Sequence, residues 1–248
     1  MDIKLLENEH IEYLSREVGV VVSPSHTFGT DALLLADFAS PKKKDVICDL
    51  GTGCGIIPFL FFRDGCRNIL GVEIQQNACN QVHRSIELNG SSDSVKIVNA
   101  DLRELKNPEY AGRFSLVTMN PPYKKAKAGI ESEEEGEKIA RHETMCTIND
   151  VARCSARLLK FGGRLCLCSR PERLFETMKA LSEVNIEPKI LRTVHKNVSS
   201  EPWLFLLEGR LGGKSGMRVL PPLFIENEDK TESDELLKIL GKYREETV

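Results

Sequence analysis

No run of apolar residues in this sequence is long enough to cross a bilayer. The longest strongly apolar stretch, Ile56 to Phe62, is interrupted by Pro58, whereas a helical span needs about 20 residues. No basic-then-apolar leader opens the chain, which begins MDIKLLENEHIEYL, so a cytoplasmic protein without membrane contact is expected. The 8 cysteines show no zinc-type spacing, and neither a metal centre nor a disulfide framework is expected. Only Cys166 and Cys168 stand close. Two residues apart, they share one face of a strand, where free thiols in a reducing compartment act as small core residues.

No charge of one sign dominates, with 34 basic against 37 acidic residues and a net charge of −3. Proteins that coat nucleic acid indiscriminately carry the opposite balance, so any nucleic-acid contact is a local patch. What is present is an ordinary folding composition: 248 residues, 41% hydrophobic, 29% charged, 18 Gly and 11 Pro. That mix excludes disorder, collagen-like repeats and a coiled coil, and a chain of this length buries a core without staples. It carries no information on oligomeric state.

From Asp45 onward, short apolar runs alternate with helical patterns. VICDL (46–50), NILGVEI (68–74), SVKIVNA (94–100), FSLVTMN (114–120) and RLCLCS (164–169) read as strands. Helices are expected from near Cys54, after NILGVEI to about Leu88, and after a cap at Thr147 or Asn149, the last ending at Gly162-Gly163. A further helix starts around Pro171 with Leu174, Phe175, Met178 and Leu181 inward. Such alternation implies an α/β fold with a parallel sheet covered on both faces. Two late runs, 187–196 and 202–210, suggest an antiparallel hairpin at a sheet edge. Ahead of Asp45, strands around 11–22 and a helix from Asp31 to Phe38 are expected.

Three features fall at strand carboxyl ends, where open α/β sheets bind ligands. Asp49-Leu50-Gly51-Thr52-Gly53-Cys54-Gly55 is a glycine-rich strand-to-helix turn, which lets the backbone approach a ligand. Nucleotide, flavin and nicotinamide sites all use such a turn. Glu73 ends the next strand, and a carboxylate there accepts from ribose hydroxyls; read alone, it is a solvated strand-end acid. After strand three, Asp101 and the amide of Leu102 suit an adenine edge, although Asp is also a common turn former.

Taken together and in this order, DLGTGCG, the acid of GVEI and NADL resemble the first three motifs of the class I S-adenosylmethionine-dependent methyltransferases. The resemblance implies a Rossmann-like seven-stranded sheet with an antiparallel terminal hairpin, and S-adenosyl-L-methionine as cofactor. It divides the chain into an N-terminal extension packed on the catalytic domain (1–44), the methyltransferase domain (45–225) and a charged, loosely attached C-terminal tail (226–248).

After strand four comes Asn120-Pro121-Pro122-Tyr123. Two prolines restrict the chain and fix carbonyl directions, Asn120 adds a side-chain carbonyl and Tyr123 a flat ring. That set suits an amino group on a planar substrate: two acceptors for its N–H bonds and a surface for stacking. By itself, Asn-Pro is a turn. The tetrapeptide resembles the N-P-P-Y of methyltransferases acting on adenine N6, cytosine N4 or glutamine. Acceptance of the amine hydrogens by Asn120 and the Pro121 carbonyl favours a pyramidal nitrogen, so positioning matters more than a strong base. No catalytic histidine is expected among His10, His26, His83, His142 and His195.

Upstream, FGTDALLLA (28–36) resembles the segment that precedes the glycine motif in the bacterial tRNA1(Val) adenine-37 N6-methyltransferase group, and the resemblance implies a place for Thr30 near the methionine end of the cofactor. Read from the residues alone, Thr30 or Asp31 is a helix cap. The resemblance spans roughly residues 1–225. Its implied substrate is tRNA, with a looped base stacked on Tyr123, as in an anticodon loop. This chain departs from the group after Tyr123, where a basic run, Lys124, Lys125 and Lys127, replaces an aromatic. The run either contacts phosphates or is a solvated loop. Other readings are glutamine methylation on a release factor, methylation of a small-molecule amine, and cofactor binding without catalysis.

Overall fold

The computed structural model describes residues 3–121 and 146–244, with side chains described as far as residue 241. Pro122, Tyr123, Lys124, Lys125, Lys127, the acidic cluster from Glu131 to Glu137 and His142 lie outside the described residues. The strands are β1 His10–Tyr13, β2 Gly19–Val22, β3 Val46–Leu50, β4 Asn68–Glu73, β5 Val95–Asn99, β6 Phe114–Met119, β7 Leu159–Ser169, β8 Ile186–His195, β9 Pro202–Leu211, β10 Arg218–Val219 and β11 Leu223–Phe224. The helices are α1 Thr30–Ala39, α2 Ile56–Arg63, α3 Gln76–Leu88, α4 Ile148–Leu158, α5 Leu174–Glu183 and α6 Asp234–Arg244. None of the described helices is long and apolar enough to cross a membrane.

The main sheet runs β10-β8-β9-β7-β6-β3-β4-β5, with β11 also on β8. Among the described residues it therefore has nine strands, not seven, and of these β9 alone runs antiparallel to its neighbours. The expected 187–196/202–210 hairpin forms, but it does not end the sheet: the returning chain lays β10 and β11 along β8. Those two short strands pair backbone groups that an open edge would leave exposed.

Side chains alternate between two cores with the strand period of two. Cys166, Cys168, Leu204 and Leu206 face the core covered by α1, α2, α3 and α6. Leu165, Leu167, Phe205 and Leu207 face the one covered by α4 and α5. Helix α4 is opened by a capping box, in which Thr147 Oγ1 accepts from Asp150 N at 3.2 Å and Asp150 Oδ2 accepts from Thr147 N at 2.9 Å.

The β1–β2 hairpin is a separate two-stranded sheet lying against α3. Gln81, Ser85 and Asn89, four residues apart on one helical face, bind the free edge of β2. Asn89 accepts from Gly19 N at 2.9 Å, Ser85 Oγ accepts from Val21 N at 2.9 Å, and Gln81 donates to Val21 O at 2.7 Å. Side chains of the helix thus satisfy a strand edge that no other strand covers.

Three local expectations are corrected. Helix α4 stops at Leu158, not at Gly162-Gly163, because Leu159 is already extended (φ −69°, ψ 136°). The glycines instead occupy a bulge of β7, where Gly162 takes φ +76° and the register on β6 shifts between Phe114 and Leu116. Phe175 is 81% exposed, not inward, because the helical twist of about 100° per residue turns it off the stripe that Leu174, Met178 and Leu181 share. The tail is not loosely attached over residues 234–241: Leu236 and Ile239 are buried in the core and Arg192 Nη2 meets Glu235 Oε2 at 2.7 Å.

Candidate active site

The carboxyl ends of β3, β4, β5 and β6 open into a cavity of about 400 Å³. The glycine turn after β3 forms its floor. Gly53 takes φ +56°, a conformation that a side chain disfavours, and a Cβ there would meet no protein atom within 4 Å. A ligand can therefore lie directly on this backbone. Gly55 has a different task. It caps α2 with φ +85°, and a Cβ on it would press within 3.1 Å of Val82 on α3 and 3.3 Å of Phe59. Its bareness serves helix packing, and it is not on the cavity wall.

Glu73, only 5% exposed, joins the turn to the next strand. Its Oε2 accepts from Gly53 N at 3.0 Å and its Oε1 from Gln75 N at 2.9 Å. Each carboxylate oxygen keeps a lone pair for a hydroxyl in the cavity. Asn99 anchors the same corner from β5, donating to the carbonyls of Glu73 and Ile74 at 2.9 Å each.

Asp49 lies beneath the turn at 1% exposure. Burial pushes its carboxyl up to about 7, opposed by the Thr118 hydroxyl, which donates to Oδ1 at 2.5 Å, and reinforced by the nearby Glu73 carboxylate. Two acids this deeply placed make the cavity floor favourable to a cationic ligand. Asp101 is held differently: Arg103 Nε donates to both of its oxygens, at 3.0 and 2.9 Å. That guanidinium holds the Asp101 carboxyl below the usual carboxylate range, so it stays an acceptor.

At the end of β6, Asn120 and Pro121 complete the wall. Cys168 Sγ, at the end of the neighbouring β7, is 3.2 Å from Asn120 Oδ1 and donates to it. The structure thus brings Asp49, Gly51, Thr52, Gly53, Glu73, Asp101, Leu102, Asn120 and Pro121 around one cavity, and leaves Thr30 and Gly55 off it. Thr30 is the exposed first residue of α1. The helix is capped by Gly29 with no side-chain bond, so neither Thr30 nor Asp31 is the cap. Asp31 lines the cavity instead.

His26 and Gln75 also line the cavity and were not singled out by the sequence. His26 Nε2 is 3.3 Å from Gln75 Oε1, so the segment ahead of α1 is latched to the β4–α3 turn across the mouth. Gln81, which donates to His26 O at 2.9 Å, secures the same segment from α3. The only signal was proximity in sequence to Glu73 and to FGTD. Cys146 stands at the rim, half-buried, and burial pushes its thiol up to about 11.

Similarity to known proteins agrees with this geometry. The family model described as the methyltransferase small domain matches residues 17–184. A tRNA1(Val) (adenine(37)-N6)-methyltransferase from Dickeya chrysanthemi is 28% identical over 209 residues, 82% of this chain and 81% of the relative. The enzyme of the same name from Parabacteroides distasonis is 25% identical over 174 residues, 70% of each chain. Among solved structures, a protein described as a predicted O-methyltransferase from Agrobacterium tumefaciens superposes with a TM-score of 0.68. It has 20% identity and the match covers 86% of this chain and 96% of that one. A geranyl diphosphate C-methyltransferase from Streptomyces coelicolor A3(2), solved with S-adenosyl-L-homocysteine, gives 0.52 at 12% identity, with 73% and 78% covered. These two share the fold. With a cradle of bare backbone, a buried acid at its edge and a family model spanning most of its length, the chain belongs to the methyltransferase small domain family and is an S-adenosylmethionine-dependent methyltransferase.

Proposed function

We propose that this enzyme methylates an exocyclic amino group, the N6 of an adenine in a tRNA loop. The observation that carries the reading is the place of Asn120 and Pro121: they close the cavity wall at the end of β6, and a second proline and a tyrosine follow in the sequence. The relatives named for adenine-37 of tRNA1(Val) give the substrate class.

S-adenosylmethionine supplies a methyl group on a sulfonium. Glu73 receives the ribose hydroxyls with the lone pairs that Gly53 and Gln75 leave free. Asp101 and the Leu102 amide would hold the adenine edge of the cofactor, and the buried Asp49 would lie toward its positive end. Gly51, Thr52 and Gly53 give it a close backbone bed.

Asn120 Oδ1 and the Pro121 carbonyl accept the two hydrogens of the target amine. Holding both hydrogens away from the methyl turns the nitrogen lone pair toward it, a contribution of orientation rather than of proton abstraction. Tyr123 stacks on the base, which must be unpaired to reach the turn. Lys124, Lys125 and Lys127 contact phosphates beside it. Replacing all three with Ala should weaken RNA binding and flatten its salt dependence by about three phosphate contacts; an unchanged slope would return the run to a solvated loop.

The test is incubation with labelled cofactor and separate pools of tRNA, rRNA, DNA and protein, followed by nucleoside and amino-acid analysis. Label in N6-methyladenosine from tRNA is expected. Label in methylglutamine from the protein pool would replace this reading with the release-factor one.

A further inference from the structure

We propose that Cys168 is a positioning residue for methyl transfer: its thiol donates to the amide oxygen of Asn120 and sets the direction in which that oxygen meets the acceptor amine. The inference rests on the reading of Asn120 as the amine acceptor. Cys168 is fully buried near the end of β7, and its Sγ lies 3.2 Å from Asn120 Oδ1. The contact follows from register. Strands β6 and β7 run parallel with Met119 opposite Leu167, so the next residue on each, Asn120 and Cys168, reaches the same corner.

An asparagine amide turns about a broad, roughly two-fold torsion, which by itself prefers no one end for the oxygen. Reversed, it would present N–H donors to an amine that also needs acceptors. A donor beside Oδ1 favours the productive orientation. A thiol suits the task, being small and a weak donor, and it occupies one lone pair of the oxygen while the second remains for the substrate. Cys166 is an internal control. It lies on the same strand face, equally buried, but its Sγ is 4.0 Å from a carboxylate oxygen of Glu208, on the antiparallel β9, and makes no bond to Asn120.

The experiment measures transfer to an unmodified tRNA1(Val) transcript by the wild type and by Cys168→Ala, Cys168→Ser, Cys166→Ala and Asn120→Ala, with the melting temperature of each. Cys168→Ala should lower kcat about three- to tenfold, the scale of one lost hydrogen bond, with KM for the cofactor within about twofold. Cys168→Ser should recover most of kcat, and Cys166→Ala should keep it. Wild-type kcat in Cys168→Ala, or a Ser variant as slow as the Ala variant, would overturn the proposal. Full transfer by Asn120→Ala would instead bring down the acceptor reading, and this role with it.

A second measurement needs no substrate. The S–H stretching band of Cys168, assigned by difference from Cys168→Ala, should move to higher frequency in Asn120→Ala. A band that does not move would remove the contact, even if the transcript proves to be no substrate of the wild type.

Discussion

Glu73 and Asn120 face the same cavity and are held there by different means. Both oxygens of Glu73 accept from backbone amides, of Gly53 and of Gln75, and Asn99 ties its carbonyl to the neighbouring strand. Asn120, among the described residues, meets one side-chain donor, the Cys168 thiol. At Glu73 the cavity-facing group is also part of the fold, so altering it should change binding and stability together. At Asn120, by the proposed function, chemistry and fold are separable. Different substrates can then be served by changing a few side chains over one unaltered cofactor bed.

The separation is tested most severely at Asn120. Asn120→Ala should reduce transfer by a factor of roughly 100 or more, the scale of losing a preorganised acceptor, while calorimetry finds cofactor affinity within a few-fold. Equal losses of both would merge the two sides. Tyr123→Ala should slow tRNA turnover by about 10-fold or more, since stacking is worth about 1–3 kcal/mol per base. Tyr123→Phe should stay near wild type; a Phe variant as poor as the Ala one would mean that the ring is not what matters.

Asp49 sharpens the comparison through pH. Its carboxyl is raised from the ordinary 3.8 to about 7 by burial, so the folded protein holds a proton that the unfolded chain releases. Below about pH 4 the acid is neutral in both states and costs nothing. As the pH rises from 4 to 7 stability is lost, and above 7 the full cost remains, about 4 kcal/mol at about 1.4 kcal/mol per pH unit. Asp49→Asn should therefore stabilise the ligand-free protein more at pH 8 than at pH 5, by roughly 2–3 kcal/mol in denaturant unfolding, and weaken cofactor binding. A gain independent of pH would place the cost elsewhere. Glu73→Ala leaves two amides without acceptors. A stability loss of about 2 kcal/mol should accompany weaker cofactor binding. Cofactor loss without any loss of stability would show that Glu73 is not part of the fold in this sense.

The cavity floor was legible because its parts follow strands whose apolar runs are unmistakable. Asp49, Gly51, Gly53, Glu73 and Asp101 could each be placed at a strand end, and a parallel sheet brings such ends together. Where reading failed, the deciding contact was remote. Gly55 belongs to the packing of α2 on α3, across to Val82. The resemblance placed Thr30 near the cofactor, but the approach of α1 to the sheet brings Asp31 to the cavity instead. His26 and Gln75, nearly fifty residues apart, meet where Gln81 of α3 also holds the His26 carbonyl.

The sequence by itself determined the strand–helix alternation, the glycine turn and the acids that follow each strand, because these depend on local periodicity and on which residues tolerate a turn. Tertiary structure decided the rest: the covering of β8 by two late strands, the docking of α6 and the meeting of Cys168 with Asn120. Those depend on register and packing between segments, and such pairings have energies that no single stretch of the chain contains.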